Sequence, residues 1–443
     1  MNRLVDSRVS VRGGLGLLVS AVLLLSSCAP AGPVAPQAAA TQGGAPIAVS
    51  FWHGQSGPLG KALDAQVAKF NETHPTIRVE PVFVGDFGAL KQKILAALSA
   101  GQPPDLAQVG EPSTVAQYLN AKAIVPVETF ARGGPDGLSE DSLRDTYPGF
   151  LDEGTYLVDG KKTIVAWPFS KAVSVIYYNE NRFQSAGISR APATWAEFRT
   201  VAKTLTEATG RPAFSWTART QEFSAMVWDF GGDLLSADGK SARFNDPAGV
   251  KALQLLTDMA LVDKSFVPSN AFDWQNDLVA QKISLGMSTI VSRTYIEDPL
   301  RGAFTLGVAP LPRADQDTAP LYGPNAVIFA SSPPEKQRAA WQFLKWFTDT
   351  QQTAAWSLAT GYMPVRKSAM DSSAIKEAIA KDPRRGVALG KLPVARALPN
   401  VAAWAEVDPI LTDAITKAVT GKASPQAALD AAAQQANRIL SAR

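Results

Sequence analysis

In 443 residues the chain has one cysteine, Cys28, and two histidines, His53 and His74. A lone thiol leaves no disulfide framework, so stability has to come from the packed core. The two histidines lack the spacing of a zinc site. Net charge is only +3, and basic and acidic residues are mixed along the chain without a basic block. Nothing therefore points to nucleic acid or to a polybasic membrane patch. A Gly-x-Ser-x-Gly turn, a phosphate loop and a dinucleotide fingerprint are all missing beyond residue 16. Paired carboxylates of the glycosidase kind remain the one enzymatic alternative, because such partners need not be close in sequence.

What is present begins at the N-terminus. Arg3, Arg8 and Arg12 precede an apolar run at residues 15–25. That run falls far short of the roughly 20 residues of a membrane-spanning helix, so it reads as the core of an export signal. It ends in Leu25-Ser26-Ser27-Cys28, the pattern of a bacterial lipoprotein cleavage site. The expectation is a signal peptide over residues 1–27, lipidation of Cys28, and attachment to the outer face of a bacterial membrane or envelope. Loss of Arg3, Arg8, Arg12 and Asp6 with that segment takes away +2 and leaves +1. Residues 28–46, rich in Ala, Pro and Gly, bury too little to order themselves and read as a flexible linker.

From residue 47 strands and helices alternate. Residues 47–52 form a short apolar run, and Leu59, Leu63, Val67 and Phe70 repeat at helical spacing until Pro75. A strand at 77–84, a helix at 87–100 and a strand at 105–109 follow. This β-α-β-α-β order implies a parallel sheet, whose ligand edge lies beyond the carboxyl ends of its strands. His53, Phe87 and Glu111 fall on that edge. Further strands are expected at 165–169, 174–178, 283–287 and 305–309. Helices are expected at 195–208, 334–347, 351–359, 401–419 and from Pro425 to Leu440. Thr194 with Glu197 forms a capping box, and Ser424 precedes Pro425 as an N-cap. About 400 mature residues exceed what one core holds, so two α/β lobes are expected.

Several local sequences, in this order, resemble the family 1 extracellular solute-binding proteins of ABC importers. They are Ser50-Phe-Trp-His53, Ala68-Lys-Phe-Asn71 with His74-Pro75, Gly101-Gln-Pro-Pro-Asp105 and Ile176-Tyr-Tyr-Asn179. Pro192-Ala-Thr-Trp195, Thr360-Gly-Tyr-Met-Pro364 and Gly421-Lys-Ala-Ser-Pro425 complete the set. The resemblance implies the two-lobe periplasmic-binding-protein fold, with a ligand cleft and a hinge between lobes. It places one lobe at 46–170 and 313–355 and the other at 171–312 and 356–443. It implies a monomer that carries a small solute to the permease subunits of an ABC importer, with no enzymatic activity, cofactor or metal.

Within that family the chain is most similar to the binders of glycerol-3-phosphate and glycerophosphodiesters. The resemblance implies ligand contacts from Glu111, Tyr362 and Arg396, with Ser292 and Gly323 nearby. An arginine can fork onto two phosphate oxygens, and a carboxylate can accept from glycerol hydroxyls. Phe87 stands where those binders carry a tyrosine, Ala172 replaces a serine, and Pro324 stands where glycine is usual. Those departures, with Trp216 and the other tryptophans, keep a sugar or oligosaccharide as the alternative ligand. Each residue also has a plainer role. Arg396 would pair with a surface acid, Glu111 would cap the helix at Pro112, Tyr362 would pack between lobes, Trp216 would join the core, and His53 would be a structural hydrogen-bonder.

Overall fold

Two mixed sheets, each with its own helices, account for the expected lobes. The computed structural model describes residues 45–442. Cys28, the signal segment and linker residues 28–44 lie outside them. In the first sheet the order is Ile77–Phe83, Ile47–His53, Leu106–Val109, Asn325–Phe329, Ile124–Val125. The first three strands are parallel, as their crossover helices require. Helix Gly57–Thr73 turns Leu59, Leu63, Val67 and Phe70 inward and ends at His74. Asn325–Phe329 arrives from far along the chain and pairs antiparallel with Leu106–Val109.

The second sheet runs Phe266–Pro268, Phe214–Trp216, Leu285–Thr289, Ala172–Asn179, Ala319–Tyr322, Ala395–Arg396. Its centre, Ala172–Asn179, is buried at all but one position, the mark of a strand covered on both faces. It pairs antiparallel with Leu285–Thr289, Leu306–Pro310 and Ala319–Tyr322. Helices Trp195–Thr209, Pro247–Leu261, Trp404–Val419 and Pro425–Leu440 enclose this core. Thr194 caps the N–H of Glu197 at 3.1 Å, but the Glu197 carboxylate bonds Ala193 and Arg190 rather than closing the box on Thr194. Ser424 caps Ala427 as expected.

Two strand expectations shift. Only Trp167–Pro168 pairs within 165–169, because the N–H groups of Val165 and Ala166 are spent on the carbonyl of Gly154. The strand expected at 283–287 begins at Leu285, since Ser284 and Leu285 both donate to Ala213. The lobe boundaries shift too. The chain leaves the first sheet after Pro168 and enters the second at Ala172. It returns between Tyr322 and Asn325 rather than near 312, because Ala319–Tyr322 is held by Ala172–Asn179. The third passage lies beyond 355: helix Thr350–Thr360 packs on helix Gly57–Thr73, and the Arg366 guanidinium donates to Ser142 and Thr348. Residues 383–394 then pack on Ala172–Asn179 and Leu306–Pro310.

Candidate ligand-binding cleft

A cavity of about 230 Å³ opens where the two sheets face each other across these passages. Phe87 and Glu111 enter from the first lobe, each at a helix start just beyond a strand. Phe87 opens helix Phe87–Ser99, which Asp86 caps through Ala89. Its ring fits between Gly54 and Gly110, where an added Cβ would stand 3.1 and 3.3 Å from it. Glu111 occupies the N-cap position of Pro112–Asn120 yet makes no side-chain cap bond. Its Oε1 instead accepts from Gln221 Nε2 of the second lobe at 3.4 Å.

Glu111 is solvent-exposed, but walls from both lobes crowd it. That crowding first, then the charges of Asp408 and Glu153, pushes its carboxyl up to about 7, against smaller opposing effects of Lys91 and Arg219. The two acidic neighbours push in the same direction as the crowding.

The second lobe supplies the floor. Trp216 ends strand Phe214–Trp216 and donates from its indole nitrogen to Glu222 Oε2 at 3.1 Å. Glu222 Oε1 accepts from Ser174 at 2.8 Å and from Tyr322 at 2.6 Å. This buried carboxylate is thus held by three donors and serves as the fixed base of the floor. Burial, then the Glu222 charge, drives the Tyr322 phenol far upward, so it remains a donor. Trp274, Phe272 and Arg219 complete this side. The Arg219 guanidinium lies 5.1 Å from the Phe272 ring centre.

The hinge passages close the back. Gly323 has φ +100°, and a Cβ there would lie 2.0 Å from the Ser170 carbonyl oxygen, so only glycine fits between these two passages. Tyr362 follows Gly361 at the end of helix Thr350–Thr360, stacks on Trp356 at 6.0 Å, and accepts from Gln55 at 3.4 Å. Burial raises its phenol to about 12.

Five of the eight expected ligand residues therefore meet at the cavity: Glu111, Phe87, Trp216, Gly323 and Tyr362. Three do not. Arg396 lies off the cavity lining: it pairs with Asp233 at 2.9 Å and sits 4.5 Å over Trp228, because its short strand runs beside Ala319–Tyr322. Ser292 is buried behind the wall and donates to Ser288, which does line the cavity. His53 is 3% exposed and packs against Phe51 and Phe83. Burial lowers its pKa, with Asp64 and a backbone contact at Gln55 opposing.

Sequence reasoning missed Arg219, Gln221, Glu222, Phe272 and Tyr322. The signal was the polar run after Trp216, but the three-residue strand before it is too short to reveal which sheet edge it ends on. Among the described residues no cluster of His, Cys, Asp and Glu can hold a metal ion, and no helix is long and apolar enough to cross a membrane.

Comparisons with known proteins show the family and the fold. The family described as bacterial extracellular solute-binding protein matches residues 53–354. The sn-glycerol-3-phosphate-binding periplasmic protein UgpB of Shigella dysenteriae serotype 1 is 28% identical, over 88% of this chain and 92% of its own. UgpB of Escherichia coli O1:K1 is 27% identical over the same shares. Among solved structures, UgpB of Mycobacterium tuberculosis in complex with glycerophosphocholine superposes with a TM-score of 0.79 at 24% identity, covering 90% of this chain and 99% of that one. The cyclic α-maltosyl-1,6-maltose binding protein of Arthrobacter globiformis gives 0.77 at 26% identity, covering 90% and 100%.

Proposed function

We propose that this chain, which belongs to the bacterial extracellular solute-binding protein family, captures glycerol-3-phosphate or a glycerophosphodiester such as glycerophosphocholine for an ABC importer. It binds its solute without turning it over, so it is not an enzyme. The observation that carries the ligand class is the polarity of the cleft. Glu111 on one wall faces Arg219 and Gln221 on the other, an acceptor for glycerol hydroxyls opposite donors for a phosphate. The likeness to the glycerol-3-phosphate binders over nearly the whole chain supports the same reading.

A second reading rests on the rings that line the same cavity. Phe87, Trp216, Phe272, Trp274, Tyr322 and Tyr362 would suit a sugar or oligosaccharide, which stacks its apolar faces on aromatic side chains. A thermal-shift comparison of glycerol-3-phosphate, glycerophosphocholine, maltose, trehalose and cellobiose separates the two. A ligand at 100 times its dissociation constant adds roughly 2.7 kcal/mol. A shift with the phosphate esters alone is expected; a shift with a sugar alone refutes the phosphate reading.

The finer parts of the reading concern address and partners. Cys28 carries a lipid and residues 28–46 form the tether, which holds a monomeric binding domain at the outer face of the membrane, within reach of the permease subunits. The lipoprotein-type ending of the N-terminal segment supports this.

A further inference from the structure

We propose that Arg219, held in place by Phe272, is the anion anchor of this cleft and takes the position of importance that sequence resemblance gives to Arg396. The inference rests on the glycerol phosphate reading of the cleft and names the residue that would set its selectivity for charge.

Four observations carry it. First, Arg219 is the only lysine or arginine among the described residues that line the cavity. Lys91, the other cation whose charge reaches Glu111, lies outside that lining. Second, that guanidinium is free to bond. Three other cations near the lobe junction are engaged: Arg396 with Asp233, Arg293 with Asp382 and Glu297, and Lys171 with Glu153. Arg219 makes no ion pair among the described residues. Its nearest carboxylates offer little competition. Glu222 already accepts from Ser174, Tyr322 and Trp216, and burial raises the pKa of both Glu111 and Asp408, the carboxylates its charge acts on.

Third, the side chain is aimed. The cation–π contact holds the guanidinium 5.1 Å from the Phe272 ring centre and spends none of its N–H groups, the part that forks onto a phosphate. Fourth, Phe272 is itself held where it is. It is 52% exposed, an unusual place for so large a ring, at the end of a loop in which Ala271 adopts a left-handed φ of +40°. The Thr217 hydroxyl donates to the Ala271 carbonyl and fixes that loop to the segment that carries Arg219. A non-glycine residue in this conformation costs free energy and persists where the surroundings demand it. Here it sets one ring under one guanidinium at the mouth of the cavity. Arg219 is thus the ligand contact and Phe272 a positioning residue.

The geometry also orients the solute. The phosphate lies toward Arg219 and Phe272 on the second lobe, and the glycerol hydroxyls lie toward Glu111 and Gln221. A phosphodiester headgroup would extend past Phe272 toward the mouth.

Isothermal titration calorimetry with glycerol-3-phosphate and glycerophosphocholine tests this on the unaltered protein, R219Q, R219K, F272A, R219Q/F272A and R396Q. R219Q should weaken both ligands at least about 30-fold, since a desolvated charge pair loses one partner. It should also flatten the salt dependence of binding. R219K should recover part of the loss. F272A should weaken binding less than R219Q and have no further effect in the R219Q background, which a merely structural ring would not do. R396Q should bind like the unaltered protein. If the unaltered protein binds neither ester, the glycerol phosphate reading fails and the role of Arg219 with it. If it binds and R219Q binds equally well with its melting temperature unchanged, the reading stands and the Arg219 assignment is overturned. Loss of binding in R396Q but not in R219Q overturns it as well.

Discussion

Replacement of Lys171 by methionine should cost this protein about 3 to 5 kcal/mol of stability, and the reason lies in the hinge. Lys171 is completely buried in the first passage between the sheets. Its ammonium pairs with the buried Glu153 carboxylate and donates to the Gly323 carbonyl of the second passage at 3.1 Å. Its own carbonyl accepts at 2.7 Å from Met363, just after helix Thr350–Thr360. Glu153 in turn accepts from Asn325 at 3.0 Å, so one buried polar node ties the first two passages to the segment after helix Thr350–Thr360. Burial lowers the Lys171 pKa and the Glu153 charge opposes that shift. K171M would leave Glu153 dry, with only Asn325 as partner, and removal of one member of a buried pair typically costs 3–5 kcal/mol. For about 400 folded residues, an unfolding entropy of roughly 2.1 cal/mol/K per residue gives about 0.8 kcal/mol/K. The melting temperature should then fall by roughly 4–6 °C in calorimetry at pH 7 without ligand. K171M/E153Q, which removes the stranded charge, should regain half of the loss or more. A fall below about 1 °C in K171M, or a double variant no better than the single one, would refute the argument.

E111Q should change the pH profile of stability. The folded pKa of Glu111 is raised from 4.5 to about 7, so its contribution is fully present below about 4.5 and is lost as pH rises through 7. Melting temperatures measured from pH 4 to 8 should decline less steeply across that window in E111Q; parallel curves would contradict the shift. R396Q removes a half-exposed pair with Asp233 and a stacking contact on Trp228. The pair is worth about 0–1 kcal/mol, so the melting temperature should move by no more than about 1–2 °C. C28S should move the protein from the membrane fraction to the soluble one; retention in the membrane fraction would remove Cys28 as the anchor.

The first lobe was legible because its signals are local. Helical spacing at Leu59, Leu63, Val67 and Phe70, a proline stop, and apolar runs on either side define a parallel unit without reference to the rest of the chain. The second lobe was less so. Ala172–Asn179 draws its three partners from widely separated segments, and strands of two or three residues such as Phe214–Trp216 and Ala395–Arg396 carry no periodicity. The lobe boundary near 312 shifted for the same reason, since pairing of Ala319–Tyr322 with Ala172–Asn179 is a long-range choice. In the cleft, the sequence pointed to Glu111 through its place at a strand end. It could not reveal that Asp233 lies within reach of Arg396, or that Phe272 folds under Arg219.

Closure of the lobes has to be driven from the two walls together. Away from the hinge, the side-chain bonds that bridge the lobes among the described residues are long: Gln221 to Glu111 at 3.4 Å, Tyr295 to the Ser56 carbonyl at 3.2 Å, Asn400 to the Thr155 carbonyl at 3.2 Å, and Gln117 to the Ala402 carbonyl at 3.5 Å. Neutral donors at such distances contribute at most about 1 kcal/mol each. A shift of a two-state balance from 1:99 to 99:1 needs about 5.5 kcal/mol of differential binding. A solute that touches only Arg219, or only Glu111, makes the same contacts open or closed and shifts nothing. Glycerol-3-phosphate, with its phosphate on one wall and its hydroxyls on the other, gains its second set of contacts only on closure. Solution scattering should therefore report compaction with glycerol-3-phosphate and none with inorganic phosphate at saturating concentration. Equal compaction with both would mean that one wall suffices, and the hydroxyl contacts at Glu111 would lose their part in closure.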